Sequence, residues 1–325
     1  MTGPLRAAPM PVRGRKRYRF HSSVTFGFLG FCCLVQRAQS SMGQEEARLY
    51  DRNLQHFSPE GRIYQVQYAE LAARRGNPVV AVSNNQDALA LCVERRRASA
   101  LEEPGVAWEK LGEVQQGTYM GFAGLAADGR RLLDRTRLFA ENYRLKNAEL
   151  PGVKDIAYFI GDLQHRNTFV RAQRPYGVSC VVGGVDTASS SRTIGKLHAR
   201  PCIYATEPSG VVQEYRAVCV GEHAEIITGR LEAHAGELAK MRAGQLARFG
   251  ARVLWDVREG EDKQGAPAKV QGRTDAEGGL KCLEVLVLRR MKREGAAEGE
   301  EGWCWKRLLV KDVGEIEALE RILDD

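Results

Sequence analysis

The sequence has no apolar run long enough to cross a bilayer. Its longest apolar-leaning stretch, Val24–Val35, has twelve residues, against about 20 for a spanning helix. Paired cysteine spacing is missing as well. The eight cysteines (Cys32, Cys33, Cys92, Cys180, Cys202, Cys219, Cys282, Cys304) form no C-x-x-C motif, and Cys92 and Cys180 sit inside apolar runs. That pattern argues against zinc ligation and a disulfide framework, and for buried free thiols in a reducing compartment. No metal and no cofactor are expected. Acids are absent from residues 1–41, which hold seven of the 48 Lys and Arg, so the remaining 41 match the 41 Asp and Glu. The net charge of +7 and the pI near 9.0 therefore belong to a tail. From Met42 onward no strong attraction to phosphate backbones is expected, and nucleic acid is not an expected partner.

What is present begins with that tail. A basic stretch, Arg13–Arg19, precedes the apolar run, an order that suits a secretory signal or an organelle transit peptide. The reading preferred here is that Met42 is the true start, because the chain after it already reads as a complete protein. Residues 1–41 are then an extension, arising from start choice or serving as a targeting segment, and residues 42–325 are one domain. Met42-Gly43 is a poor myristoylation site, since Ala47 stands where Ser or Thr is preferred. No membrane partner is expected.

The informative stretch is Tyr50–Tyr68. Ser58-Pro59-Glu60-Gly61 is a turn, with Pro fixing φ and Gly able to take φ > 0. A helix is expected from about Ile63 to Arg75, ended by Gly76 and by Pro78 beyond it. Ile63, Val66, Ala69 and Ala73 define one apolar face, and Tyr64, Tyr68, Leu71 and Ala72 a second. A helix apolar on two faces is normally sandwiched. One face can meet the chain's own core and the other a neighbouring subunit.

These residues, YD…FSPEGRIYQVQYA from Tyr50 to Ala69, resemble the N-terminal motif of proteasome alpha subunits, with Gln67 where the family generally has Glu. Further matches are Glu94-Arg95-Arg96, Glu109-Lys110-Leu111, Phe122–Arg130, Arg174-Pro175-Tyr176-Gly177-Val178, Gly183–Asp186 and Pro208-Ser209-Gly210. Gly129 replaces a usual Ala near a helix start, at a cost of about 1 kcal/mol inside a helix.

The resemblance implies a non-catalytic subunit of the 20S core particle, in the cytoplasm and nucleus, serving ubiquitin-dependent and -independent protein degradation. It implies partners: other alpha subunits in a seven-membered ring, beta subunits, and the C-terminal tails of regulatory particles. Tyr50, Asp51, Pro59, Tyr68 and Tyr176 would anchor the gating tail. Lys110, Gly124 and Leu125 would form the pocket that receives a regulator's carboxylate. Catalytic relatives use an N-terminal Thr whose own amine helps activate its hydroxyl. Alignment on Gly76–Val82 puts Asn77 at that position, followed by Pro78, with Glu94 and Lys110 at the carboxylate and lysine positions. No catalytic residue is assigned; the alternative, an active N-terminal nucleophile peptidase, lacks its nucleophile.

Strand patterns at Val79–Val82, Ala88–Val93, Thr118–Ala123, Val178–Val182, Tyr204, Val211–Tyr215, Arg216–Val220, Leu283–Leu288 and Arg307–Val310 alternate with helical patterns. The latter cover Asp128–Leu145, Val153–Gln164, Glu222–Phe249 and Val313–Leu323. The mixture indicates an α+β domain. The resemblance sharpens this to a four-layer αββα N-terminal-nucleophile hydrolase sandwich of two antiparallel sheets flanked by helices. Surface insertions are expected near 187–200 (polar, Ser-rich), 260–279 (Gly-rich, linker-like) and 294–302 (acidic turn).

Overall fold

The computed structural model describes residues 56–95, 110–170, 173–186, 199–263, 282–292 and 301–324. Helix α1 (Tyr64–Arg74) leads into strands β1 (Val79–Ser83), β2 (Ala88–Arg95), β3 (Leu111–Gln115) and β4 (Thr118–Gly124). Helices α2 (Ala126–Asn147) and α3 (Val153–Phe169) follow, then β5 (Val178–Asp186), β6 (Arg200–Thr206), β7 (Val212–Tyr215) and β8 (Ala217–Val220). The chain continues through α4 (Ala224–Ala233), α5 (Ala235–Leu238) and α6 (Ala243–Lys263) to β9 (Cys282–Lys292), β10 (Glu301–Val310) and α7 (Val313–Asp324).

Among the described residues, ten strands form two five-stranded antiparallel sheets, ordered β10-β9-β2-β1-β8 and β3-β4-β5-β6-β7. Strand side chains alternate between faces, and β1 shows what that does. Val79 and Ala81 enter the core between the sheets, with Leu89, Leu91, Val181 and Ile203. Val80 and Val82 point the other way, into a core closed by Leu246, Leu254 and Ile316 of α6 and α7. On the far side, Phe122 and Val182 meet Leu132, Ile156 and Ile160 of α2 and α3. Four layers result, helix, sheet, sheet and helix, and β1 is buried along its whole length because it is covered on both faces.

Several boundaries differ from those read in the sequence. The stretch Glu222–Phe249 is three helices rather than one. The chain turns at His234 and again before Ala243, which lets Leu231, Leu238 and Leu246 all bury in one core. Residues 260–263 belong to α6, not to a linker, and residues 301–302 open β10 rather than a turn. Arg200 likewise starts β6. Apart from Ala199, the rest of the three expected insertions lies outside the described residues, as do the 1–41 extension, Tyr50 and Asp51.

Candidate functional site

The turn before α1 is built on one serine. The Ser58 carbonyl accepts from the Gly61 N–H at 2.8 Å, its N–H donates to the Arg62 carbonyl at 2.8 Å, and its Oγ accepts from the Arg62 N–H at 3.1 Å. Ser58 is buried, Pro59 is exposed, and Gly61 has φ of 76°, the conformation the sequence asked of it. This fixes the direction in which α1 leaves. Ala69 and Ala73 of the helix are buried, whereas Tyr68 and Leu71 stay 48% and 51% exposed and Phe57 66%. The rings of Tyr64 and Tyr68 stack at 6.5 Å. Of the two expected faces, Ala69 and Ala73 lie against the sandwich and Tyr68 and Leu71 are open, while Ile63, Val66, Tyr64 and Ala72 are half-buried.

The buried side fits because side chains are missing where the backbones cross. A Cβ on Gly76, just past α1, would sit 1.9 Å from the Gly124 nitrogen at the end of β4. One on Gly124 would sit 2.2 Å from the Gly177 carbonyl oxygen and 3.0 Å from Cα of Ala73. Gly124 also has φ of 120°, which L side chains strongly disfavour. The glycine expected to line a docking pocket is thus also the seat of α1.

The next residue, Leu125, donates its N–H to the Gly177 carbonyl at 3.0 Å and keeps a 46% exposed side chain. Lys110 accepts from the Phe122 N–H through its carbonyl at 3.1 Å, at the β3–β4 end that Gly124 terminates. Lys110, Gly124 and Leu125 therefore share one corner of the second sheet. Behind it, Asp128 of α2 holds the loop into β5. Its carboxylate accepts from Arg174 at 2.6 and 2.8 Å and from the Gly177 N–H at 3.0 Å. This two-pronged contact raises the Arg174 pKa beyond its already high value. The pair was not foreseen, although its residues lie within two of the quoted motifs.

Tyr176 is 5% exposed and packs in the core under α2 and α3, while Pro59 and Tyr68 are exposed. The structure does not put Tyr176 on the surface that carries the other two. Asn77 lies between α1 and β1, and its neighbour Pro78 accepts from the N–H of buried Glu94 at 3.4 Å. The Gly76 carbonyl accepts from the Glu222 N–H at 2.7 Å. Asn77, the residue expected at the nucleophile position, is thus pinned on its N-terminal side. Four thiols, Cys92, Cys180, Cys202 and Cys219, are pushed up to about 12 by burial, which makes them poor nucleophiles and poor metal ligands. Among the described residues no group of three or more His, Cys, Asp or Glu could hold a metal ion, and no helix is long and apolar enough to cross a membrane.

Two five-stranded antiparallel sheets between helical layers define the αββα class of N-terminal-nucleophile hydrolase folds. Within it, the chain belongs to the proteasome subunit family, whose model matches residues 73–270, and the N-terminal signature of the alpha-type proteasome subunits matches residues 50–72. It is 37% identical over 215 residues to the alpha 2 proteasome subunit of Haloferax volcanii, covering 66% of this chain and 81% of that one. Identity to the alpha proteasome subunit of Methanococcus maripaludis is 31% over 265 residues, covering 81% of this chain and 96% of that one. For the alpha type-7-1B proteasome subunit of Drosophila melanogaster it is 33% over 192 residues, covering 59% and 71%. The chain is an alpha-type homologue from a family of protein degradation.

Proposed function

We propose that this chain is a non-catalytic building block of a seven-membered proteasome alpha ring, docking on a beta ring and carrying part of the substrate gate. The observation that carries the reading is α1. Its inner face is seated by the Gly76–Gly124 crossing, its outer face leaves Tyr68 and Leu71 open, and Phe57 is exposed in the segment before it. Exposed apolar groups clustered on one element are the usual sign of a protein partner. Leu138 and Leu145 of α2 and Tyr158 and Phe169 of α3 are 49% exposed or more. They supply a further apolar surface for the beta ring.

Absence of catalysis is supported by Asn77, which has no hydroxyl, and by Pro78 after it. Glu94 and Lys110 keep the charged positions without the nucleophile. Lys110, Gly124 and Leu125 form the pocket for a regulator's terminal carboxylate. Pro59 and Tyr68, with Tyr50 and Asp51, anchor the gating tail, and Tyr176 supports them from the core. Work in the cytoplasm and nucleus, on ubiquitin-dependent and -independent substrates, belongs to the same proposal.

Native mass measurement of the chain co-expressed with alpha subunits tests this. Incorporation into a ring is the expected result, with loss of incorporation on replacing Leu71 and Tyr68 by Asp. A chain that stays monomeric with every partner overturns the ring role. Peptidase activity after cleavage before Asn77 overturns the non-catalytic one.

A further inference from the structure

A cavity of about 880 Å³ lies where the two sheets meet at their β7 and β8 edges, beneath the last turns of α1 and beside α4. Its volume is in the range of binding clefts, about 300–1,000 Å³. Seven consecutive residues, 215–221, line it. A strand shows only every second side chain to a surface it faces, so an unbroken run means that the strand presents its edge.

The hydrogen-bond register gives the same answer. The Ser83 N–H donates to the Arg216 carbonyl, and Ala81 and Val79 stand opposite Val218 and Val220. By antiparallel alternation, Val218 and Val220 spend their backbone groups on β1, while Ala217 and Cys219 direct theirs to the other side. Among the described residues β8 ends its sheet, so that other side is the cavity.

A strand laid along β8 would alternate between two environments. On one face lie Leu231 and Leu238, which share a core with Cys219. On the other, the mouth carries Glu70 and Glu207. The Glu70 carboxyl is held above its ordinary value by burial and then by Glu207, with Arg74 opposing. Arg74 is engaged by Glu225 at 3.4 Å. Both carboxylates line the mouth, Glu70 half-buried and Glu207 exposed, and a cation set beside them relieves their mutual repulsion.

We infer that the β8 edge is a docking slot for an extended partner segment in which apolar and basic residues alternate. The segment pairs with the backbones of Ala217 and Cys219 and sets a Lys or Arg beside Glu70 and Glu207. Its charge logic is opposite to that of the Lys110 corner, which suits a carboxylate, and it does not depend on ring membership. The mode is strand addition, in which the main chain gives affinity and alternate side chains give specificity.

The test uses the full chain and a blocked hexapeptide alternating valine and lysine, with hydrogen exchange read residue by residue. Slowing of exchange at Ala217 and Cys219 by about tenfold is expected at saturating peptide. The same peptide with glutamate for lysine gives no slowing, and methylating its outward amides abolishes the effect. The variant Glu70→Gln with Glu207→Gln weakens the lysine peptide by about tenfold and leaves exchange of the free chain unchanged. Equal binding of the glutamate peptide, or protection only away from β8, overturns the inference. So does full protection of both amides by ring assembly alone, since the slot would then belong to a neighbouring subunit.

Discussion

Phe122 of β4 lays its ring where a side chain on Gly129 of α2 would have to go. A Cβ added at Gly129 would stand 2.2 Å from Cδ2 and 2.3 Å from Cε2 of a ring that is 1% exposed. Glycine inside a helix costs about 1 kcal/mol in propensity, but here it admits the aromatic ring. Gly129→Ala is therefore expected to lower stability by about 1–3 kcal/mol through overpacking, despite its better propensity. Urea unfolding of Gly129→Ala, Phe122→Leu and the double variant measures this. The double variant should be more stable than the two single losses would sum to; strict additivity would mean that the two residues do not share the space.

Gly124→Ala strikes the seat of α1. Both its φ of 120° and the Gly177 carbonyl 2.2 Å from the new Cβ oppose the change. The expected cost is on the order of 3 kcal/mol, combining backbone strain and overpacking. Hydrogen exchange should show α1 losing protection before the sheets do. Uniform loss across the domain would place the damage in the sandwich rather than in the seating of the helix.

Asp186, at the end of β5, is held above the ordinary carboxylate range first by burial and then by Asp155, with Arg200 and Lys154 opposing. A Cβ on Gly152 would lie 3.0 Å from Asp186 Oδ1 and 3.3 Å from Asp155 Oδ2, so the two carboxylates flank one small gap. Because the native state favours the neutral form, its stabilisation is complete below the unfolded value of about 3.9 and is lost as pH rises through the raised native value. Asp186→Asn should flatten the fall in urea midpoint between pH 4 and 7 and be the more stable form at neutrality. Parallel curves for the two proteins would refute the assignment.

Thiol labelling separates buried from accessible cysteines. With Cys92, Cys180, Cys202 and Cys219 at about 12, the thiolate fraction at pH 8 is about one in ten thousand, and burial blocks access besides. Among the described cysteines, Cys304 is exposed on β10 and should react first in a mass map of the native chain, with Cys282 slower. Fast native labelling of any of the four buried thiols would contradict the packing described above.

Much of the architecture was legible because period and punctuation agreed. Val79–Val82 and Ala88–Val93 read as strands from continuous apolar residues, and both are buried on two faces. α7 matches its expected span to within a residue. β3 was not legible. Leu111–Gln115 offers two buried side chains of its own, Leu111 and Val114, and its pairing with β4 shifts register between Glu113 and Gln115. It is a strand because β4 is beside it, which no local pattern states. β5 runs four residues past its expected end, through Gly183 and Gly184, since Gly183 is where Leu89 and Leu91 of the other sheet come closest.

For the candidate site, the turn at Pro59 and the two faces of α1 were readable from residue order. The Gly76–Gly124 and Asp128–Arg174 contacts were not, because each joins residues about fifty apart or nearly so. Their glycines and charges carried no local sign of one another.

Strands β7 and β8 belong to different sheets, yet a single residue, Arg216, joins them. One residue reaches about 3.6 Å at most, so the sheets are stitched together along that side like pages at a spine. At the opposite border, Arg307 of β10 donates to the Leu111 carbonyl of β3 at 3.2 Å, and Trp305 meets Tyr119 at 4.7 Å between ring centres. Any loosening of the sandwich is therefore a swing about Arg216 that must first undo this clasp. A push on α1 from a neighbour would be felt there as leverage.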